Sequence, residues 1–217
     1  MLNMKKTALG LIGGVITSLI AGVIMIRFDP NVREYFFPPE RRLVYSLTVQ
    51  KIRDGKPYQD PFQSAGQEVF ENGYMFRFNM FSSEAGYLYL FNEGKAADGK
   101  IYFNILYPTP KRNNGSAHIA TGQQVITEEN TFGGKPDTEK LWITWTREPH
   151  PRLEAAKTSA FANDGKIKDS QVEQNLHSFL QEHSAAAHEV VKDIPNKQTV
   201  IIGRGQTVVS LLYLEHR

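Results

Sequence analysis

Residues 74–91 read YMFRFNMFSSEAGYLYLF and contain two segments that alternate with a period of two. In the second segment, which follows Gly86, leucines alternate with aromatic residues. A period of two places successive side chains on opposite faces of a β-strand. We therefore predict two strands here, and one face of the first strand should carry Tyr74, Phe76, Phe78 and Met80.

The same period recurs on both sides of this stretch, at 43–50, 101–107, 141–146, 199–202 and 207–214. Asp98-Gly99 is a favoured turn pair and predicts a hairpin between 87–91 and 101–107. Gly203-Arg204-Gly205 predicts a second hairpin between the last two strands. About eight strands at this spacing predict a mainly β, antiparallel sandwich-like domain, or a partly open barrel.

One segment has a helical period instead. Asp169 or Ser170 can cap a helix over about 170–182, whose single apolar stripe comprises Val172, Leu176, Phe179 and Leu180. This helix should pack on the β core, and residues 155–168 should form a polar surface connection. No internal repeat occurs, so we expect a single β-rich domain over 43–217 with one or two packed helices.

Near the start of the chain, residues 7–26 form an apolar stretch without a charged residue, TALGLIGGVITSLIAGVIMI. As a helix it spans about 30 Å, the thickness of the hydrocarbon core of a bilayer. A cleaved signal peptide is the alternative, but its apolar region is shorter, and Leu19 precedes Ala21 where an A-x-A-like site requires a small residue. We expect a basic tail at 1–6, a transmembrane helix at 7–26 and an aromatic and proline-rich juxtamembrane spacer at 27–42.

The N-terminal segment and the domain differ in their balance of charged residues. Residues 1–42 carry six basic and three acidic residues, whereas 43–217 carry nineteen and twenty. The domain therefore has no basic excess for nucleic acid. A short basic tail before the helix is typical of a single-pass signal anchor in the bacterial inner (cytoplasmic) membrane, with an extracytoplasmic domain. Arg27 and Arg33 follow the helix, so the positive-inside rule does not decide the orientation cleanly.

No residue pattern indicates a catalytic, cofactor or metal site. The chain has no cysteine, which excludes disulfides, thiolate nucleophiles and Cys-based metal sites. His177, His183 and His188 are six and five residues apart, unlike the ligands of an HExxH helix. Glu128-Glu129 lacks the separation of a glycosidase carboxylate pair. We expect no cofactor, no metal and no enzymatic activity.

Tyr87, Tyr89 and Phe91 share one strand face, and Leu88 and Leu90 share the other. If the leucines form the core, the aromatic row is a candidate binding face. Alternatively both faces are buried, with the predicted helix over the aromatic row. Burial is favoured because exposed aromatic patches are unusual on soluble domains.

Several short elements occur in an order that resembles a known family. They are FENGY at 70–74, GYLYL at 86–90, LYP at 106–108, NN at 113–114, ATG at 120–122 and WITWTREP at 142–149. In these elements the chain is similar to bacterial domain-of-unknown-function family 4384. The resemblance implies a membrane-tethered or exported β module, and family members also occur beside peptidase or kinase domains. It departs after Gly122, where the family has a proline, and it implies no catalytic residues.

These observations leave three functional hypotheses. The first is a membrane-anchored, non-enzymatic binding domain of the bacterial envelope, with an unidentified protein or envelope component as its partner. The second is a cytoplasm-facing scaffold or regulatory subunit of a neighbouring enzyme. The third is an enzyme with dispersed site residues, which a deep pocket with convergent titratable groups would support.

Within the apolar stretch, small residues recur every four positions at Gly10, Gly14, Ser18 and Gly22. Small residues at this spacing let a second helix approach closely, so the helix should self-associate or pack against a partner helix. The alternative is that the spacing is incidental, because glycine is common in membrane helices.

Gly14→Leu tests this groove. Insertion should survive because leucine favours hydrocarbon, whereas helix packing should weaken by about 1–2 kcal/mol, which is roughly tenfold in dimerisation. The measurement is crosslinked dimer yield in membranes at matched expression. Gly13→Leu, about 100° around the helix, is the matched control. An unchanged yield for Gly14→Leu would show that the spacing is incidental.

Overall fold

The computed structural model describes residues 38–96, 98–133, 137–186 and 188–217. The description below concerns the compact unit formed by residues 40–217. The predicted transmembrane helix at 7–26, with its groove residues, lies outside the described residues. Within the described ranges, no helix combines the length and apolarity that a membrane crossing requires.

The described residues form β-strands and two α-helices. Before the helices come β1 (Glu40–Gln50), β2 (Ile52–Arg53), β3 (Lys56–Pro57), β4 (Phe62–Ser64), β5 (Met75–Ser82), β6 (Gly86–Lys95), β7 (Ile101–Tyr107), β8 (His118–Ile119), β9 (Val125–Ile126), β10 (Asn130–Thr131) and β11 (Asp137–Thr146). The helices are α1 (Pro151–Phe161) and α2 (Ser170–Ser184). They are followed by β12 (Glu189–Asp193), β13 (Gln198–Arg204) and β14 (Thr207–His216).

The strands pair into two antiparallel sheets and a small β2–β3 ladder. The larger sheet has the order β10-β5-β1-β13-β12, with β4 on β1 and β9 on β5. The smaller sheet has the order β14-β11-β6-β7, with β8 on β6. The mainly β, antiparallel fold predicted from the sequence is confirmed, as is the β6–β7 hairpin, in which Lys95 pairs with Ile101.

The domain has three layers because the smaller sheet is apolar on both faces. Leu88 and Leu90 join a core shared with the larger sheet, whereas Tyr89 and Phe91 join a second core beneath the helices. Residues i and i+1 of a strand point to opposite faces, so β6 supplies both cores from one short segment. The order of layers is therefore large sheet, small sheet, helices.

Helix α2 follows the predicted pattern closely. The Asp169 carboxylate accepts hydrogen bonds from the backbone N–H groups of Gln171 and Val172, which caps the helix. Leu176, Phe179 and Leu180 are fully buried against the small sheet, and Val172 is half-buried at the edge of this contact.

Helix α1 corrects the prediction of a surface connection at 155–168. His150 caps the helix through Nδ1, which accepts from the Arg152 N–H, and Pro151 occupies the first turn. The buried face comprises Leu153, Ala156 and Ala160. Two of these three residues are alanines, so the buried face lacked the large apolar side chains that identified α2.

The predicted hairpin around Gly203-Arg204-Gly205 is also wrong. β13 pairs with β1 and β12, whereas β14 pairs with β11 in the other sheet. The segment is thus a crossover between sheets. A Cβ at Gly203 would lie 2.7 Å from Val208 Cγ2, so only glycine permits this close passage.

β1 begins at Glu40, so the last three residues of the spacer predicted at 27–42 belong to the domain. Arg41 is 1% exposed and ion-pairs with Glu84. Its guanidinium lies 4.8 Å from the Trp145 ring, and its Nε donates to the Gly205 carbonyl at 2.6 Å. Burial lowers the pKa of Arg41. This side chain ties the start of β1 to both sheets.

Two imidazoles flank Phe179 where the helices meet. The ring centroids of His150 and His183 each lie 4.4 Å from that of Phe179. Burial lowers the pKa of both histidines, and the mutual repulsion of His150 and His183 and the charge of Arg152 lower that of His150 further. Glu182, which ion-pairs with Arg152 at 2.9 Å, opposes this shift only in part.

These lowered pKa values predict acid sensitivity. Between pH 6.5 and the lower folded-state values, the unfolded chain binds protons that the folded chain does not, so stability is complete above about pH 6.5 and falls below it. We expect the thermal midpoint to decrease from pH 7.5 to pH 5. His150→Asn keeps a capping side chain and removes one titrating group, so its midpoint should fall less steeply. Parallel curves for the two proteins would contradict the assignment.

Candidate functional site

The inner face of the small sheet changes from apolar to polar near the carboxyl end of β6. Leu88 and Leu90 on this strand are followed, at the next inward position, by Asn92. Asn104 pairs with Asn92 from β7, and Glu139 occupies the inward face of β11 two residues before Leu141. Because polar side chains replace the core here, the two sheets do not close on each other.

The result is a cleft of about 610 Å³ at one side of the sandwich. Its floor is the polar row of the small sheet, and its opposite wall is Phe76 with residues 128–131 of the larger sheet. Residues 109–111 and 164–166 form the remaining sides. Pockets for small molecules typically measure roughly 300–1,000 Å³, so the cleft is large enough for a ligand.

A chain of polar contacts runs along the floor. Asn104 Nδ2 donates to Asn92 Oδ1 at 3.4 Å, and Asn92 Nδ2 donates to Glu139 Oε2 at 2.9 Å. Glu139 Oε1 lies 3.5 Å from His216 Nε2, and His216 Nδ1 lies 2.7 Å from Asn72 Oδ1. The imidazole of His216 is 1% exposed and the Glu139 side chain 28% exposed. The Glu139 carboxylate is therefore held in place from below while it remains accessible from the cleft.

The other carboxylates of the cleft have basic partners or lie at the rim. Glu128 accepts from Thr109 Oγ1 at 2.6 Å and lies 3.7 Å from Lys111 Nζ. Glu129 accepts from Arg77 at 3.0 Å. Asp164 is exposed at the rim. The adjacent pair Glu128-Glu129 thus forms part of the cleft wall.

The aromatic row proposed as a candidate binding face is not a surface. Tyr89 and Phe91 are fully buried beneath the helices, which confirms the alternative of burial. The Tyr89 hydroxyl donates to Glu154 at 2.5 Å, and burial together with this hydrogen bond raises the pKa of Tyr89. Tyr87 is half-buried, with its ring centroid 5.3 Å from that of His118.

The histidines singled out in the sequence do not converge. His177 and His183 lie on α2, whereas His188 Nε2 lies 3.2 Å from the hydroxyl of Ser210, which is fully buried. Across the part of the chain that the structure describes, no group of three or more His, Cys, Asp or Glu side chains could hold a metal ion. The groove residues Gly10, Gly14, Ser18 and Gly22 lie outside that part.

Sequence reasoning missed the floor of the cleft, although a signal was present. The inward positions of β6, β7 and β11 all change from apolar to polar within two residues, at Asn92, Asn104 and Glu139. One such change marks the end of a core. Three on neighbouring strands mark a place where the core opens, but that requires the strand order β11-β6-β7, which the sequence alone does not provide.

Comparison with known proteins identifies no relative: no family model, no curated protein and no solved structure matches this chain. The resemblance to domain-of-unknown-function family 4384 remains an expectation.

If the polar floor serves binding, it should not be needed for folding. Replacing Asn92 and Asn104 together with leucine extends the apolar face, and water can replace the lost donor at the partly exposed Glu139, so the free energy of unfolding should change by less than about 1 kcal/mol. Leu90→Asn, one inward position earlier on β6, should cost about 2–5 kcal/mol. Denaturant titration measures both. A loss above roughly 2 kcal/mol in the double variant would show that the amides are structural.

Proposed function

We propose that this protein is a single-pass protein of the bacterial inner membrane that presents a binding domain on the extracytoplasmic side. The apolar residues 7–26 hold it in the bilayer, and the cleft between the sheets binds an envelope component or a protein partner without chemical turnover. The helix groove at 7–26 adds self-association or packing against a partner helix.

The observation that carries this proposal is the polar floor of the cleft. Core positions are normally filled with apolar side chains, and polar groups at such positions cost stability unless they are hydrogen-bonded. Asn92, Asn104 and Glu139 occupy three of them on adjacent strands and open a space of about 610 Å³. Retaining an open, polar space where a closed core could form is the signature of a binding site.

The cleft lies away from the start of β1. The chain enters at Glu40, and Arg41 contacts Glu84 and Trp145, which places the start of β1 beside the start of β6. Asn92 lies five residues beyond Tyr87 on β6, or about 17 Å along the strand. The cleft therefore lies about 17 Å along β6 from the end of the domain at which β1 begins.

The polar contacts of the cleft favour binding over catalysis. Glu128 and Glu129 already engage Lys111 and Arg77. The Ser210–His188 hydrogen bond involves a fully buried hydroxyl on β14, between the sheets. In the small sheet, β11 and β6 separate β14 from β7, the strand whose Asn104 lines the cleft. A nucleophile must reach its substrate, so this pair supports the packing of the sheets.

Site-specific photocrosslinking in intact cells tests the proposal. A benzoylphenylalanine residue at Lys111, on the exposed wall of the cleft, should yield discrete adducts in carbonate-washed membranes, each at the mass of the full chain plus its partner. The matched control is the same residue at Gln174, exposed on α2. Equal adducts from both positions would contradict a cleft-specific partner, and release of a shortened chain would contradict the anchor.

A further inference from the structure

We propose that the cleft recognises an alkyl cation, a positive charge at the end of an aliphatic stem such as a lysine side chain, and that Glu139 is its counter-ion. This inference rests on the proposed binding function and adds the chemical class of the ligand.

The first argument is the balance of charge in the cleft. Its lining includes four carboxylates and two lysines. Lys111 lies within ion-pair distance of Glu128, and Arg77 lies within ion-pair distance of Glu129. Among the described residues, Glu139 has no lysine or arginine within that distance, and its one contact of this length is with the imidazole of His216. The floor of the cleft therefore holds a carboxylate that no lysine or arginine of the described chain neutralises.

The second argument is that Glu139 is oriented before any ligand arrives. The hydrogen bond from Asn92 at 2.9 Å fixes Oε2, and Asn104 in turn supports Asn92. His216, buried below, approaches Oε1. A carboxylate held in one geometry loses little conformational freedom when a cation binds, so more of the interaction energy appears as affinity.

The third argument is the apolar lining around this charge. Phe76, Leu141 and Leu106 line the same cleft. Charges interact more strongly beside apolar walls than in open water, and long basic side chains lay their methylenes along apolar surface. An alkyl cation satisfies both features. An anion would have to lie against Glu139, which has no lysine or arginine of the described residues within ion-pair distance, and an uncharged ligand would desolvate the carboxylate without replacing its water.

Titration of the full chain in lipid nanodiscs with blocked trilysine tests the proposal by calorimetry. Trilysine should bind, and E139Q should weaken it about tenfold or more, because hydrogen bonds to charged groups are strong. E182Q is the matched control, because Glu182 is exposed on α2, pairs with Arg152 and does not line the cleft, and it should stay within about twofold. Blocked trinorleucine and triglutamate should not bind. 1,5-Diaminopentane distinguishes a free amine from a peptide, since only a peptide-directed site prefers trilysine.

The assignment is wrong if trilysine does not bind, or if E139Q and E182Q weaken its binding equally. If E139Q loses its near-UV circular dichroism, wild-type titrations at rising NaCl replace it, and salt-independent affinity would overturn the proposal. Failure here is separable from failure of the proposed function. Adducts that persist at Lys111 in cells while trilysine fails would leave the cleft a binding site for another chemical class.

Discussion

The small sheet carries large apolar side chains on both faces, and each face requires a cover. On β11, Ile143 and Trp145 face the larger sheet while Trp142 faces the helices. Burying one such side chain contributes about 1.5–3 kcal/mol, so leaving either face in water would remove a substantial part of the stability. The three-layer order follows from this requirement. Arg41 and the Gly203 crossover join the layers at one end of the sandwich.

The candidate site lies where the inward face of the small sheet is no longer apolar and needs no cover. Inward positions of the small sheet turn polar at Asn92, Asn104 and Glu139, and the cleft lies between these side chains and the larger sheet. The same strands therefore provide a rigid, doubly covered support and an open polar floor. Sites built on strands hold their side chains more precisely than sites on loops, which suits the hydrogen-bonded geometry of Glu139.

Much of the fold could be predicted because period two is a local property. β1, β5, β6 and β7 were recognisable from their alternation, and α2 from its stripe and its Asp169 cap. Helix α1 was missed because alanines form much of its buried face. The crossover at Gly203 was missed because two nearby glycines are compatible with a turn within one sheet and also with a connection between two sheets. The cleft could not be predicted, since Asn92, Asn104 and Glu139 come together only through strand order.

Native-state hydrogen exchange of the full chain tests the doubly covered sheet most directly. If cover on both faces is what the structure depends on, the amides at 88–91 and 141–145 should exchange only by global unfolding, with a free energy equal to that from denaturant titration. The edge strand β12, with its exposed side chains, should exchange much earlier. Exchange of 88–91 and 141–145 through a smaller opening, while β1 and β5 stay protected, would contradict the account.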